Sequence, residues 1–293
     1  MLPTKEQQEH FEEQGYIILR DVLSDELVSS LSNFFAQSED YHKKYFDGSG
    51  QLKKNEERMI EKYNTALEIA NNHNIKLLPI EEWRHTIIYW KEGRQTHPEL
   101  LTYINMLNNT IGFYELLATL IHSKHLQSFN SMVWKKNAKS CEPTEVHRDY
   151  TVYNMKGIKS ICAWISPSTV RKEHGALQVT PGSHKNVDHT IEHIVDKNYN
   201  DRDKYNLVTL EVEPKDLIIF DLRLMHAAAP NVSNVDRQAM TLRYIGDDIR
   251  YYERPKTIHP STAYQRKKQL NTSKKTKEGD LFSLDQYPRV WPH

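Results

Sequence analysis

The chain has 293 residues, with 39 Lys+Arg set against 39 Asp+Glu for a formal net charge of +0. That balance argues against nucleic acid or a membrane surface as the main partner, since both ask for a basic excess. The length allows one large domain with a substantial core, and 16 Tyr, 8 Phe and 5 Trp exclude a disordered chain.

Cysteine usage is sparse. Cys141 and Cys162 alone suggest a reduced, cytoplasmic protein. The opening "MLPTKEQQEHFEEQ" lacks the apolar stretch of a signal peptide. No apolar run reaches the ~18 residues of a membrane span.

In chain order, Thr4 to Gln14 predicts a short helix, capped by Thr4 with Gln7 three residues on and stopped by Gly15. "YIILRDVL" follows as an apolar run of strand length. Ser24 caps a second helix over "DELVSSLSNFFAQ", and residues 55–75 give a third. Residues 97–124 are helical, with a break expected between Asn108 and Gly112. Beyond residue 126 the texture changes to short strand-like runs: "FNSMVWKK", "KSICAWIS", "GALQVTPGSH", "NLVTLEVE", "DLIIFDLRLMH" and "AMTLRYIG". Many short strands punctuated by turns predict a sandwich or barrel. The polar, basic stretch 256–279 reads as a solvated loop, and "DLFSLDQYPRVWPH" turns apolar again, so the C-terminal segment is expected to dock back on the domain. One domain over 1–293 follows: helical support over 1–125, a β core over 126–250 and a C-terminal extension over 251–293.

"EVHRDY" carries the chemistry. On a strand, residues two apart share a face, so His147 and Asp149 can meet one ion. A third ligand must come from a distant segment, and His226 closes "DLIIFDLRLMH". Two His and one carboxylate with open positions suit non-haem Fe(II) and also catalytic zinc; spacing alone leaves both open. His184 in "PGSHK" reads as a structural turn residue, and His189 and His193 as surface residues.

Several blocks in fixed order resemble the phytanoyl-CoA dioxygenase family of Fe(II)/2-oxoglutarate oxygenases. They are "FEEQGYIILRDVLSDELVSSL", "EVHRDY", "ICAWISPSTVRKEHGALQVTPGSHK", "DLIIFDLRLMHAAAPNVSNVDRQAMTLRYIGDD" and "YPRVWP". The resemblance implies a mainly β, α+β fold: a double-stranded β-helix (jelly roll, cupin-like) core with a helical N-terminal portion. It implies that His147, Asp149 and His226 bind Fe(II), and that 2-oxoglutarate and O2 are used. Arg237, eleven positions beyond His226, would hold the far carboxylate of 2-oxoglutarate. A planar fork suits that task, with Arg243 as the runner-up. Trp164 would line the cosubstrate pocket. Ala228 stands where relatives often have Ser, so another contact is needed there, from Thr151 or a Tyr. Asp149 argues against halogenation, because halogenating relatives vacate that position for halide.

For the substrate, Lys135, Lys136, Arg148 and Arg223 form a positive set suited to an acidic or zwitterionic molecule. Tyr150, Tyr153 and Asn154 follow the H-x-D directly and are candidate pocket residues. Trp90 and Lys91, in "WRHTIIYWKEG", are candidates for the pocket wall. No long apolar helix pair suggests an acyl tunnel. A small polar or acidic metabolite, such as an amino-acid-derived natural product, is therefore the expected substrate, its C–H bond hydroxylated, desaturated or cyclised. The competing readings are a fatty acyl-CoA hydroxylase and a catalytically inactive jelly-roll binding protein. A monomer or homodimer is expected.

Overall fold

A computed structural model describes residues 1–45, 56–80, 98–187, 199–254, 277–285 and 287–292. Trp90, Lys91, His189, His193 and the 256–276 part of the basic stretch lie outside the described residues.

Helix α1 (Lys5–Gln14) begins at a capping box. Gln7 N donates to Thr4 Oγ1 and Thr4 N to Gln7 Oε1, at 3.2 and 2.8 Å. Gly15, at φ 81°, ends it, and its N–H returns to Phe11 O at 2.8 Å. A Cβ at Gly15 would collide with His184 Nδ1, so no other residue fits this stop. Strand β1 (Tyr16–Leu19) follows, shorter than the apolar run suggested. Helices α2 (Asp25–Tyr45), α3 (Glu56–Asn72), α4 (Pro98–Ile111) and α5 (Phe113–Leu120) complete the helical part. The expected break falls at Gly112, at φ 63°.

The strands are β2 (Leu126–Lys136), β3 (Thr144–His147), β4 (Met155–Lys156), β5 (Ser160–Ile165), β6 (Leu177–Val179), β7 (Val208–Leu210), β8 (Leu217–Asp221), β9 (His226–Ala228), β10 (Arg237–Ile245), β11 (Arg250–Tyr251) and β12 (Arg289–Trp291). A six-stranded sheet runs β1-β8-β5-β10-β2-β12 and a four-stranded sheet runs β3-β9-β6-β7. All pairings are antiparallel among the described residues. This is the expected jelly roll.

Two-residue alternation assigns the faces of the large sheet. Ile161, Ala163, Ile165, Leu217, Ile219, Met240, Leu242 and Tyr244 pack with helix residues such as Leu27, Leu31, Leu107 and Leu117. Cys162, Trp164, Ile218, Phe220 and Ala239 turn the other way, toward Leu177 and Val179 of the small sheet. With both faces covered, β5 is buried along its whole length, which is why "SICAWI" shows no polar alternation. The C-terminal segment does dock: β12 pairs with β2, and Gln127 Nε2 donates to Phe282 O and Tyr287 O.

One expectation is corrected. "DLIIFDLRLMH" is two strands in two sheets. The chain turns at Asp221, which accepts from Arg223 N at 2.7 Å and pairs with Arg223 Nη2 at 2.5 Å, while Leu224 N closes onto Asp221 O. A buried ion pair inside the turn ends β8. His226 therefore opens β9 in the small sheet instead of closing a strand of the large one.

Candidate metal and cosubstrate site

His147 is the last residue of β3, and Asp149 opens a four-residue helix, α6 (Asp149–Val152). The two do not share a strand, contrary to the simple reading. Arg148 between them is extended (φ −119°, ψ 127°), so both side chains still fall on one side. Register places His147 opposite His226 in the small sheet. The two rings lie 4.2 Å apart by centroid. His147 Nε2 is 3.8 Å from Asp149 Oδ1, and His226 Nε2 is 4.0 Å from Asp149 Oδ2. One donor atom from each residue lies within 4.8 Å of the others, a spacing that one ion can bridge.

The surroundings orient the donors. His147 Nδ1 bonds Glu145 O at 2.8 Å and His226 Nδ1 bonds Leu224 O at 3.0 Å. A carbonyl only accepts, so each Nδ1 carries the proton and each Nε2 presents a lone pair to the shared point. Burial, and then the neighbouring His147, press the His226 pKa down to about 3, which keeps the imidazole neutral. Burial alone would raise the Asp149 carboxyl. The Arg243 guanidinium outweighs that and holds it well below the usual range. This donor set, two imidazoles and one carboxylate, fits Fe(II).

Arg237 is buried on β10. Its Nη2 donates to Gly175 O at 3.1 Å, but its Nε has no hydrogen-bond partner. Burial lowers its pKa to about 10. The guanidinium carbon lies 5.9 Å from the Trp164 ring centre. A buried cation with an unused donor beside an indole wall fits an absent carboxylate. Thr151 Oγ1 donates to Arg148 O at 3.0 Å.

The substrate candidates fare differently. Arg243 points to Asp149, Nε to Oδ2 at 2.7 Å, with Nη1 on Thr241 Oγ1 at 3.0 Å. It is thus a partner of the triad and is not directed at a cosubstrate or substrate. Arg223 is paired with Asp221 and Lys135 with Asp236, the latter at 2.9 Å. Arg148 is tied to Arg223 O and Ser183 O, both at 2.9 Å. Each of these cations is occupied by the scaffold, because burying it required a local acceptor. Tyr150 is fully buried beneath Arg254, 4.8 Å from ring centre to guanidinium carbon, and Asn154 Oδ1 accepts from Arg254 N. Both support the turn. Tyr153 OH accepts from Asn130 Nδ2 at 3.2 Å.

Of the inner face of β2 the sequence reading named Lys136 alone. Asn130, Met132, Trp134 and Lys136 stand opposite Arg243, Thr241, Ala239 and Arg237. Trp134 Nε1 donates to Thr241 Oγ1 at 3.0 Å, and Asn130 Oδ1 is buried without a partner. Alternation along "NSMVWKK" was the available signal.

An antiparallel jelly roll with two imidazoles and a carboxylate at one vertex, and a buried arginine beyond, defines a non-haem iron dioxygenase. Residues 11–239 match the family described as phytanoyl-CoA dioxygenase (PhyH), and the chain belongs to it. A Dictyostelium discoideum relative, "Phytanoyl-CoA dioxygenase domain-containing protein 1 homolog", is 26% identical over 85% of this chain and 94% of its own length. A Caenorhabditis elegans "Probable phytanoyl-CoA dioxygenase" is 27% identical over 48% of this chain, and the match spans half of that protein. Among solved structures, the non-heme alpha ketoglutarate dependent carbocyclase SnoK from nogalamycin biosynthesis superposes with a TM-score of 0.66 at 20% identity, covering 98% of this chain and 96% of SnoK. The epimerase SnoN, solved with Fe3+, alpha ketoglutarate and nogalamycin RO, gives 0.63 at 16% identity, covering 97% of each chain. At these identities the structural likeness is one of fold.

Proposed function

We propose that this chain is a single-domain, cytoplasmic Fe(II)- and 2-oxoglutarate-dependent oxygenase acting on a C–H bond of a small, polar or acidic metabolite. The observation that carries the reading is the shared vertex of His147, Asp149 and His226. These three would hold the iron, Arg237 the distal carboxylate of 2-oxoglutarate, and Trp164 the wall beside it, with Thr151 as a further acceptor. With iron bound, the chemistry on offer is O2-driven oxidation of a C–H bond, coupled to conversion of 2-oxoglutarate to succinate and CO2.

The chain's own residues prepare for that. Arg243 keeps Asp149 ionised and aimed. The carbonyls of Glu145 and Leu224 fix the imidazole tautomers. Asp149 and His226 are buried, which excludes water from one side, whereas the His147 side chain is 20% exposed and marks the open side. Asn130, whose Oδ1 is buried without a partner, gives an interior polar group that a small polar substrate would use. The structural neighbour EctD was solved with 2-oxoglutarate and 5-hydroxyectoine, a small polar molecule. No helix among the described residues is long and apolar enough to cross a membrane. Hydroxylation, desaturation and ring closure all fit this arrangement. A monomer or homodimer without nucleic-acid or membrane partners is part of the same proposal.

Purified protein given Fe(II), ascorbate and 2-oxoglutarate should release succinate slowly, and His147→Ala should abolish the release. Absence of release, with no thermal shift by Fe(II) or 2-oxoglutarate, would leave only a binding protein. The relatives named phytanoyl-CoA dioxygenases favour a second reading, acyl-CoA hydroxylation. Turnover of acyl-CoAs but not of amino-acid derivatives would select it.

A further inference from the structure

The three donors of the vertex stand on separate short pieces of chain, and the strand ladder does little to hold them together. β3 is an edge strand of the small sheet, so it has a hydrogen-bonded neighbour on one side only. Its register against β9 shifts between Thr144 and His147, and the strand ends at His147. Asp149 lies beyond the ladder altogether. The distance from this link to His226 therefore has to be fixed by something outside the sheet.

Arg148 sits between the two donors, and its backbone is extended. Alternation sends its side chain away from the side that His147 and Asp149 share. Behind the vertex, Arg148 Nε donates to Arg223 O and Nη2 to Ser183 O, both at 2.9 Å. The first acceptor lies in the turn that leads into β9 and His226. Asp221 makes that acceptor rigid, since it takes Arg223 N at 2.7 Å and pairs with the Arg223 guanidinium. The second acceptor lies in the turn after β6, and Ser183 Oγ accepts in its turn from Met225 N at 2.8 Å, next to His226. Tyr150 N adds a bond to Leu222 O at 2.8 Å. The H-x-D link, the turn before β9 and the turn after β6 thus close into a triangle, and one guanidinium spans two of its sides.

Among the described residues no carboxylate pairs with Arg148, and burial lowers its pKa. A cation held by carbonyls alone is an expensive fastening unless its shape is needed. The shape is the point here. A planar fork directs two N–H groups along fixed lines to two separate segments, and an ammonium on a flexible stem does not.

We propose that Arg148 is a positioning residue for the metal: by bridging Arg223 O and Ser183 O it locks the His147–Asp149 link to the turn that carries His226, so that all three donors stay within reach of one ion. This rests on the metal reading above. Arg148 acts through the backbone it fastens.

The test is titration of the full-length chain with Co(II), followed by calorimetry and by the d–d absorption bands of the bound ion. Arg148→Met should weaken Co(II) about tenfold to a hundredfold and alter the bands, because the donors no longer hold one geometry. Arg148→Lys keeps the charge but not the fork. It should weaken Co(II) about threefold to tenfold with altered bands, and it carries the test if the methionine variant folds poorly. Arg20→Met, which breaks the ion pair with Asp216 on another part of the fold, should lower the melting midpoint and leave both affinity and bands as in the wild type. Unchanged affinity and bands in the two Arg148 variants, or a loss that Arg20→Met reproduces, would overturn the role of Arg148. Full recovery in Arg148→Lys would overturn the fork. A wild type that takes up no Co(II), or a His147→Ala variant that binds it as well as the wild type, would overturn the metal reading itself.

Discussion

Arg243 Nε donates to Asp149 Oδ2 at 2.7 Å, and both groups are buried. The carboxylate that faces the two imidazoles is thus anchored from behind by a cation on β10. Removing the arginine leaves an uncompensated buried charge, at a cost of about 3–5 kcal/mol. Arg243→Met should lower the melting midpoint of the metal-free protein by many degrees. Co(II) should restore more of that loss than it adds to the wild type, because the ion replaces the missing charge. Equal gains in the two proteins would separate Arg243 from the site.

Arg237 is a buried cation without a carboxylate. Arg237→Met should therefore raise the KM for 2-oxoglutarate by about a hundredfold or more, from the roughly 1.5–3 kcal/mol of each charged hydrogen bond. Its apo stability should change little or even rise, since a desolvated, unpaired cation is removed. A large loss of stability would mean that the guanidinium is structural.

Gly175 adopts φ +82°, and its missing side chain admits the Lys136 stem and the Ala229 carbonyl. Gly175→Ala should cost about 1–3 kcal/mol through strain and overpacking. It should also weaken 2-oxoglutarate, since Arg237 leans on this residue. Denaturant unfolding and titration on one sample measure the two effects together.

His184 offers a pH test away from the metal ligands. Its Nε2 donates to Glu12 O at 3.1 Å, its Nδ1 is buried without a partner, and burial lowers its pKa. A histidine whose folded pKa lies below its unfolded one binds fewer protons when folded. Its contribution is complete above pH ~6.5 and is lost as pH falls from there toward the folded value. Between pH 7.5 and 5.5 the midpoint should drop, and His184→Gln should flatten the drop whatever its effect on absolute stability. An unchanged slope would rule the residue out.

Local signals carried much of this into the sequence. Thr4, Gln7, Gly15 and Gly112 mark helix ends by capping and backbone rules that act within a few residues, and all four hold. His147, Asp149, His226 and Arg237 were legible through block resemblance and fixed spacing, and the structure gathers the first three at one point. Relationships set across the sheet were not legible. The partner of Arg243 is decided by a carboxylate 94 positions away. The opposition of Lys136 to Arg237 depends on a strand register that no local pattern encodes. The split of residues 217–228 between two sheets turns on the Asp221–Arg223 pair, which in the sequence resembles any other charged pair in an apolar run.

The imidazoles belong to the small sheet and Arg237 to the large one, and no ladder of hydrogen bonds joins the two sheets among the described residues. A molecule that touches both ends is therefore a cross-brace between layers otherwise held by side-chain packing. Loading it should slow amide hydrogen exchange on β7, which is separated from the ligand-bearing β9 by β6, so that occupancy is felt as rigidity across the whole sandwich.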